Sequence, residues 1–257
     1  LAAAEPYDEI WVAAGTYKPQ PSIRTATFQL LENVSLYGGF EGYESLRSAR
    51  DWSAFPTILS GDYSDNDNVS AFPASTGYEE NAYHVVTGAN NAVIDGFAIR
   101  SGNANGFDTD AYGGGLFCYG ASPVVRNCNI ELNRASYGGG ILVMGGSGEV
   151  FVNCRIHRNF ADQGAGVHIY GDSSVQFKNC LFDDNSTSTG GYGAAIDFHY
   201  NSTQRQILTN CVFIRNSANY GGAIWCDHTS LNVINCTFTD NAAGMQGGAI
   251  YWNQTGD

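Results

Sequence analysis

One pattern constrains this chain more than any other: Asn-Cys recurs at Asn127-Cys128, Asn153-Cys154, Asn179-Cys180, Asn210-Cys211 and Asn235-Cys236, at intervals of 26, 26, 31 and 25 residues. A second asparagine follows six residues after each of the first ones, at Asn133, Asn159, Asn185, Asn216 and Asn241. Each unit then reaches a small-residue pair and a short apolar run, as in Gly139-Gly140-Ile141, Ala194-Ala195-Ile196 and Gly248-Ala249-Ile250. Self-similarity at such a period means a solenoid or array in which each unit buries its apolar face only against its neighbours.

The spacing inside one unit says which solenoid. After the small pair, apolar residues alternate: Leu116, Ile141, Val167, Ile196, Ile224 and Ile250 make one column. Cys118, Val143, Ile169, Phe198, Cys226 and Trp252 make the next. Period two with β-branched residues reads as strand, and no convincing helical period follows residue 20. Strands stacked in parallel about 4.8 Å apart turn these columns into internal ladders. The expected fold is all-β, a right-handed parallel β-helix: a single-stranded solenoid with coils of about 26 residues and an N-terminal cap. The whole of 1–257 reads as one β-helix domain. It comprises cap and first coils at 1–62, an irregular loop insertion at 63–82 and regular coils at 83–257. The 31-residue interval marks a looped-out insertion at Ser186–Gly191 together with Tyr200–Gln206.

Charge narrows the partners. With 12 Lys+Arg against 25 Asp+Glu the chain carries −13. Such a surface repels phosphate backbones and anionic headgroups, so nucleic acid is not an expected partner. No run approaches the roughly 20 apolar residues of a span, so direct membrane insertion of this stretch is not expected. The chain starts Leu1-Ala2-Ala3-Ala4 and stops at Thr255-Gly256-Asp257 in mid-pattern, and reads as part of a longer or processed product whose coils continue.

Two sets of residues carry a resemblance. Phe182-Asp183-Asp184-Asn185, Phe213-Ile214-Arg215-Asn216 with Gly221-Gly222-Ala223-Ile224, and Phe238-Thr239-Asp240-Asn241 with Gly247-Gly248-Ala249-Ile250 resemble the polymorphic outer-membrane protein repeat, although Ile130 and Ile156 replace its phenylalanine. Residues Asp8–Tyr17, Leu36–Phe40, Arg50–Trp52 and Thr57–Asp62 resemble the opening coil of large bacterial surface β-helix proteins. The resemblance implies a non-catalytic exported protein at the bacterial cell surface or outside it: an adhesin, a structural element or a filament subunit. Its implied partners are copies of itself, end to end or laterally, or glycans and surface proteins. On that reading Leu1–Ala4 ends a short capping helix.

Candidate sites lie on the outward columns. Phe117, Leu142, His168, Asp197, Trp225 and Tyr251 form one, and Tyr119, Met144, Tyr170, His199, Asp227 and Asn253 the next. His168, Asp197, His199 and Asp227 are therefore candidates for acid–base or metal chemistry. A solvated strand face with cross-strand polar pairs is the plainer reading. Tyr119, Tyr170, Trp225 and Tyr251 offer an aromatic face for binding or assembly. The alternative function is a carbohydrate-binding module, or a polysaccharide lyase or glycoside hydrolase acting on this outward face. No nucleophile elbow, phosphate loop or metalloprotease motif is present.

The remaining candidates are bland. Cys128, Cys154, Cys180, Cys211 and Cys236 recur one per coil and read as a column of buried thiols, with an occasional disulfide open to it outdoors. Asn133, Asn159, Asn185, Asn216 and Asn241 read as a stacked corner ladder. No cofactor is expected; calcium alone has candidates, in Asp62, Asp65 and Asp67, which otherwise belong to a solvated turn. Among six sequons Asn68 and Asn201 sit in loops, while Asn185 and Asn235 belong to the internal motif and should be inaccessible.

Overall fold

The computed structural model describes residues 3–20, 22–200 and 205–253. Every strand pairing in it is parallel, and the pairs join strands one coil apart. One coil shows the plan. Val124–Arg126 lies in the first sheet, Asn129–Glu131 in the second, Arg134–Tyr137 in the third and Ile141–Met144 in the fourth. Among the described residues the first, second and fourth sheets have eight strands each and the third has six. The molecule is a parallel β-helix.

The corners explain why the coil closes. Each is pivoted on one residue in the left-handed region: Asn127 (φ 50°), Leu132 (57°), Gly138 (67°) and Gly145 (71°), and in the next coil Asn153, Arg158, Gly164 and Gly171. Left-handed backbone costs roughly 1–2 kcal/mol for most L-residues, less for asparagine, and is free for glycine. Gly138 has no alternative: a Cβ there would stand 2.3 Å from the Ile141 carbonyl oxygen.

The columns read from sequence meet as ladders. Leu116 pairs with Ile141, Ile141 with Val167, Val167 with Ile196, and Ile196 with Ile224, all fully buried. The second sheet contributes the phenylalanines of the repeat, whose rings stack face to face: Phe182 on Phe213 at 4.7 Å and Phe213 on Phe238 at 4.6 Å. The Asn-Cys thiols lie in the same core. Cys154, Cys180 and Cys211 each donate at 3.5 Å to a carbonyl of the preceding coil. All seven cysteines are free. Burial pushes the Cys128 thiol up to about 12, so it is not a thiolate at neutral pH.

Asparagines form two ladders of different kinds. Asn133, Asn159, Asn185 and Asn216 are fully buried at the corner between second and third sheets. Each gives its backbone N–H and its side-chain amide to the side-chain oxygen of the asparagine one coil on. Asn241 receives the last of these pairs. Asn127, Asn153, Asn179, Asn210 and Asn235 form the second ladder, joined amide to oxygen at 2.8–3.3 Å on the surface. That outer position corrects the expectation for Asn235, which is exposed. The left-handed corner turns its side chain outward, while the cysteine after it points in. Asn153→Ala is expected to cost only about 1 kcal/mol, from left-handed strain and exposed hydrogen bonds. Asn153→Gly should recover most of it in urea unfolding.

The 31-residue interval resolves into two bulges. Ala161 pairs with Thr187 but Gln163 with Tyr192, and Tyr170 pairs with His199 but Gln176 with Ile207. The first gap carries three extra residues and the second two. Residues 63–82 fold onto the corner between second and third sheets. Tyr78 is buried and donates its hydroxyl to the Leu132 carbonyl at 3.2 Å, while Arg158 donates to the Val69 carbonyl at 2.8 Å. Of the segment expected to end a capping helix, Leu1 and Ala2 lie outside the described residues, Ala3 stands in a turn, and Ala4 packs against the core.

Candidate functional site

The outward column of the fourth sheet is in register as read: Leu142 beside His168, His168 beside Asp197, Asp197 beside Trp225, Trp225 beside Tyr251. It is not, however, a solvated face. Leu142, His168, Asp197 and Trp225 are 1%, 3%, 0% and 8% exposed. The third sheet covers them. Its last residue in each coil, just before the left-handed glycine, leans over the neighbouring strand. The Tyr137 ring lies 5.4 Å from His168, and Tyr192 lies 4.6 Å from Trp225. Tyr251 closes the other side of Trp225, stacked at 4.8 Å. The covering residues recur in sequence as Tyr112-Gly113, Tyr137-Gly138, Gln163-Gly164, Tyr192-Gly193, Tyr220-Gly221 and Gln246-Gly247. Alternation within the strand reports only which side faces the coil interior and carries no information on this cover.

Beneath that cover His168 and Asp197 form a pair, His168 Nδ1 to Asp197 Oδ2 at 2.9 Å. A carboxylate on Nδ1 fixes the orientation of the ring. His199 Nδ1 stands 3.9 Å from the other Asp197 oxygen, beyond hydrogen-bond distance. Asp197 Oδ1, His199 Nδ1 and Trp225 Nε1 are buried without a hydrogen-bond partner among the described residues. Burial lowers the His199 pKa more than the Asp197 charge raises it, so this imidazole is neutral at pH 7. Asp227 is engaged elsewhere: its Oδ1 meets His228 Nδ1 at 2.9 Å and accepts from Asn253 at 3.0 Å. The four acid–base candidates thus divide into a His168–Asp197–His199 group and a separate Asp227.

Between the third and fourth sheets lies a cleft of about 280 Å³, lined by Tyr112, Tyr137, Leu142, Met144, Gln163, His168, Tyr170 and His199. A shallower depression lined by Tyr119, Met144, Tyr170, Asp172 and three corner glycines continues it along the next outward column. Tyr119 and Tyr170, 60% and 38% exposed, flank Met144 in register. These two tyrosines of the expected aromatic face are open, whereas Trp225 is sealed.

The loop carboxylates serve the fold. Asp62 is buried and accepts backbone N–H groups of Ser64, Asn66 and Asp67 at 3.1–3.3 Å. Asp65 pairs with Lys18 at 2.7 Å. Asp67 holds the Asn81 amide, and burial raises its carboxyl to about 6. Among the described residues no three His, Cys, Asp or Glu side chains group as a metal site. Asn68 is exposed, and Asn201 lies outside the described residues.

The comparisons agree with this architecture. Residues 83–238 match the right handed beta helix region. Residues 235–251 match the Chlamydia polymorphic membrane protein repeat, over the stretch that contains Phe238–Asn241 and Gly247–Ile250, and so point to the bacterial outer surface. No curated protein and no solved structure matches the chain. No helix among the described residues is long and apolar enough to cross a membrane. With three fifths of its length under one family model and coils of parallel strands throughout, the chain belongs to the right-handed β-helix family.

Proposed function

We propose that this chain is an exported, non-catalytic bacterial surface protein of the adhesin kind, which works by binding through the cleft between its third and fourth sheets. The observation that carries this reading is the division of labour at that cleft: its aromatic and amide groups are accessible and its carboxylates are not. Glycoside hydrolysis needs two carboxyl groups roughly 5–10 Å apart, both reaching the scissile bond. Among the described residues no carboxylate lines the cleft; Asp197 is fully buried behind His168, and Asp227 is tied to His228 and Asn253. The pattern suits retention of a ligand better than its turnover. Lateral assembly through the aromatic face finds less support, since Trp225 is already packed between Tyr192 and Tyr251.

The test is to immobilise the chain and follow two quantities with the same set of cell-surface and environmental polysaccharides and whole cells. One is retention on the surface; the other is release of reducing ends or unsaturated sugars. Retention without release is expected. Release that disappears in His168→Ala would make the cleft an active site and overturn the reading.

A further inference from the structure

The lining of the cleft narrows what it can hold. Resting on the reading that this cleft is the binding face, we infer that its ligand is an uncharged oligosaccharide laid along the solenoid axis.

Three observations carry the inference. First, among the described residues the cleft has no Lys, Arg, Asp or Glu in its wall, and the chain as a whole carries −13. A polyuronate or sulfated glycan would meet repulsion from the chain and no cation to offset it. A cationic ligand would find no carboxylate in the cleft wall, and only Asp172 in the adjoining depression. Second, the wall combines ring faces with hydrogen-bonding groups. Tyr170 and Tyr137 offer surfaces on which the C–H face of a pyranose packs, while the Gln163 amide and the partly exposed imidazole of His199 offer hydrogen-bonding groups for hydroxyls. About 280 Å³ is near the low end of ligand clefts, roughly 300–1,000 Å³. Third, the cleft and the shallow depression share Met144 and Tyr170. In register, Tyr119 stands two coils from Tyr170, a separation of about 9.6 Å at the parallel-strand spacing. A second ring at that distance along the axis suits a further sugar of the same chain, so the site reads more than one residue.

Calorimetric titration tests this with β-glucan, mannan and xylan oligosaccharides, an oligogalacturonate and a proline-rich peptide as probes. At least one uncharged oligosaccharide should bind, more tightly as it lengthens from one sugar to three. Tyr170→Ala should weaken it about tenfold or more, and Tyr119→Ala should weaken only the longer ligands. Both side chains are exposed, so both variants should fold, and Tyr43→Ala, exposed and elsewhere, should change nothing. Preferential binding of oligogalacturonate or of the peptide, affinity unchanged in Tyr170→Ala, or no binding of any oligosaccharide would each overturn the inference. If the immobilised chain still retains cells in those cases, the surface-binding reading stands and only the ligand class falls.

Discussion

Asn159→Ala is expected to lower the unfolding free energy by about 4 kcal/mol, a large part of the 5–15 kcal/mol that domains possess. The figure follows from what the side chain holds. Its oxygen accepts the backbone N–H and the side-chain amide of Asn133, both at 3.1 Å. Its amide donates to the Ile130 carbonyl at 2.9 Å and to Asn185 at 3.1 Å. Asn159 is fully buried, so alanine strands the Asn133 donors and the Ile130 acceptor where water does not replace them. Each stranded buried group costs about 1–3 kcal/mol. The midpoint of urea unfolding should fall steeply while its slope stays the same, and the exposed counterpart Asn153→Ala should lose about a quarter as much. A loss below about 1.5 kcal/mol at Asn159 would mean that the buried ladder is not what holds adjacent coils in register.

Glu149 should make the protein less stable as pH rises from acid to neutral. Its side chain is fully buried, Oε2 has no partner among the described residues, and Oε1 lies 3.4 Å from the Ser122 hydroxyl. Burial raises its carboxyl from the ordinary 4.5 to about 7. A raised folded pKa means that the folded state holds the proton more tightly than the unfolded chain does. The stabilisation is therefore complete below about pH 4.5, declines as pH rises and is gone above about pH 7. At about 1.4 kcal/mol per pH unit the loss is about 3 kcal/mol. Glu149→Gln should remove this slope. An amide suits that corner: Gln206, two coils on in the same column, accepts from the Val175 N–H at 2.9 Å and donates to the Ser173 carbonyl at 2.6 Å. Asp67, raised to about 6 by burial, slopes the same way, so the difference between wild type and Glu149→Gln isolates the Glu149 share. Urea unfolding at about pH 4.5, 6 and 8 checks it; parallel curves for the two proteins would contradict it.

What the sequence made legible was whatever repeats at a fixed offset. Parallel stacking places position on position, so the Leu116–Ile224 column, the cysteines and the buried asparagines could be read directly and meet as read. What it hid depends on angles between sheets. His168 and Asp197 do point away from the coil interior, but the hinge at each left-handed glycine swings Tyr137 and Tyr192 over that column. The aromatic or glutamine before every such glycine was the available signal. The burial of Glu149 depends on the register shift between Ser147 and Glu149, which alternation alone does not foresee. The 63–82 segment has no period at all, and its docking through Tyr78 rests on single contacts to Leu132 and Arg134.

The most direct test of the account is a crystal structure of the chain soaked with the tightest-binding intact oligosaccharide. The account predicts an uncleaved, uncharged sugar chain between the third and fourth sheets, with one ring against Tyr170 and Tyr137 and its hydroxyls on Gln163 and His199. A sugar bound on any other face would contradict it, as would a cleaved product lying beside His168.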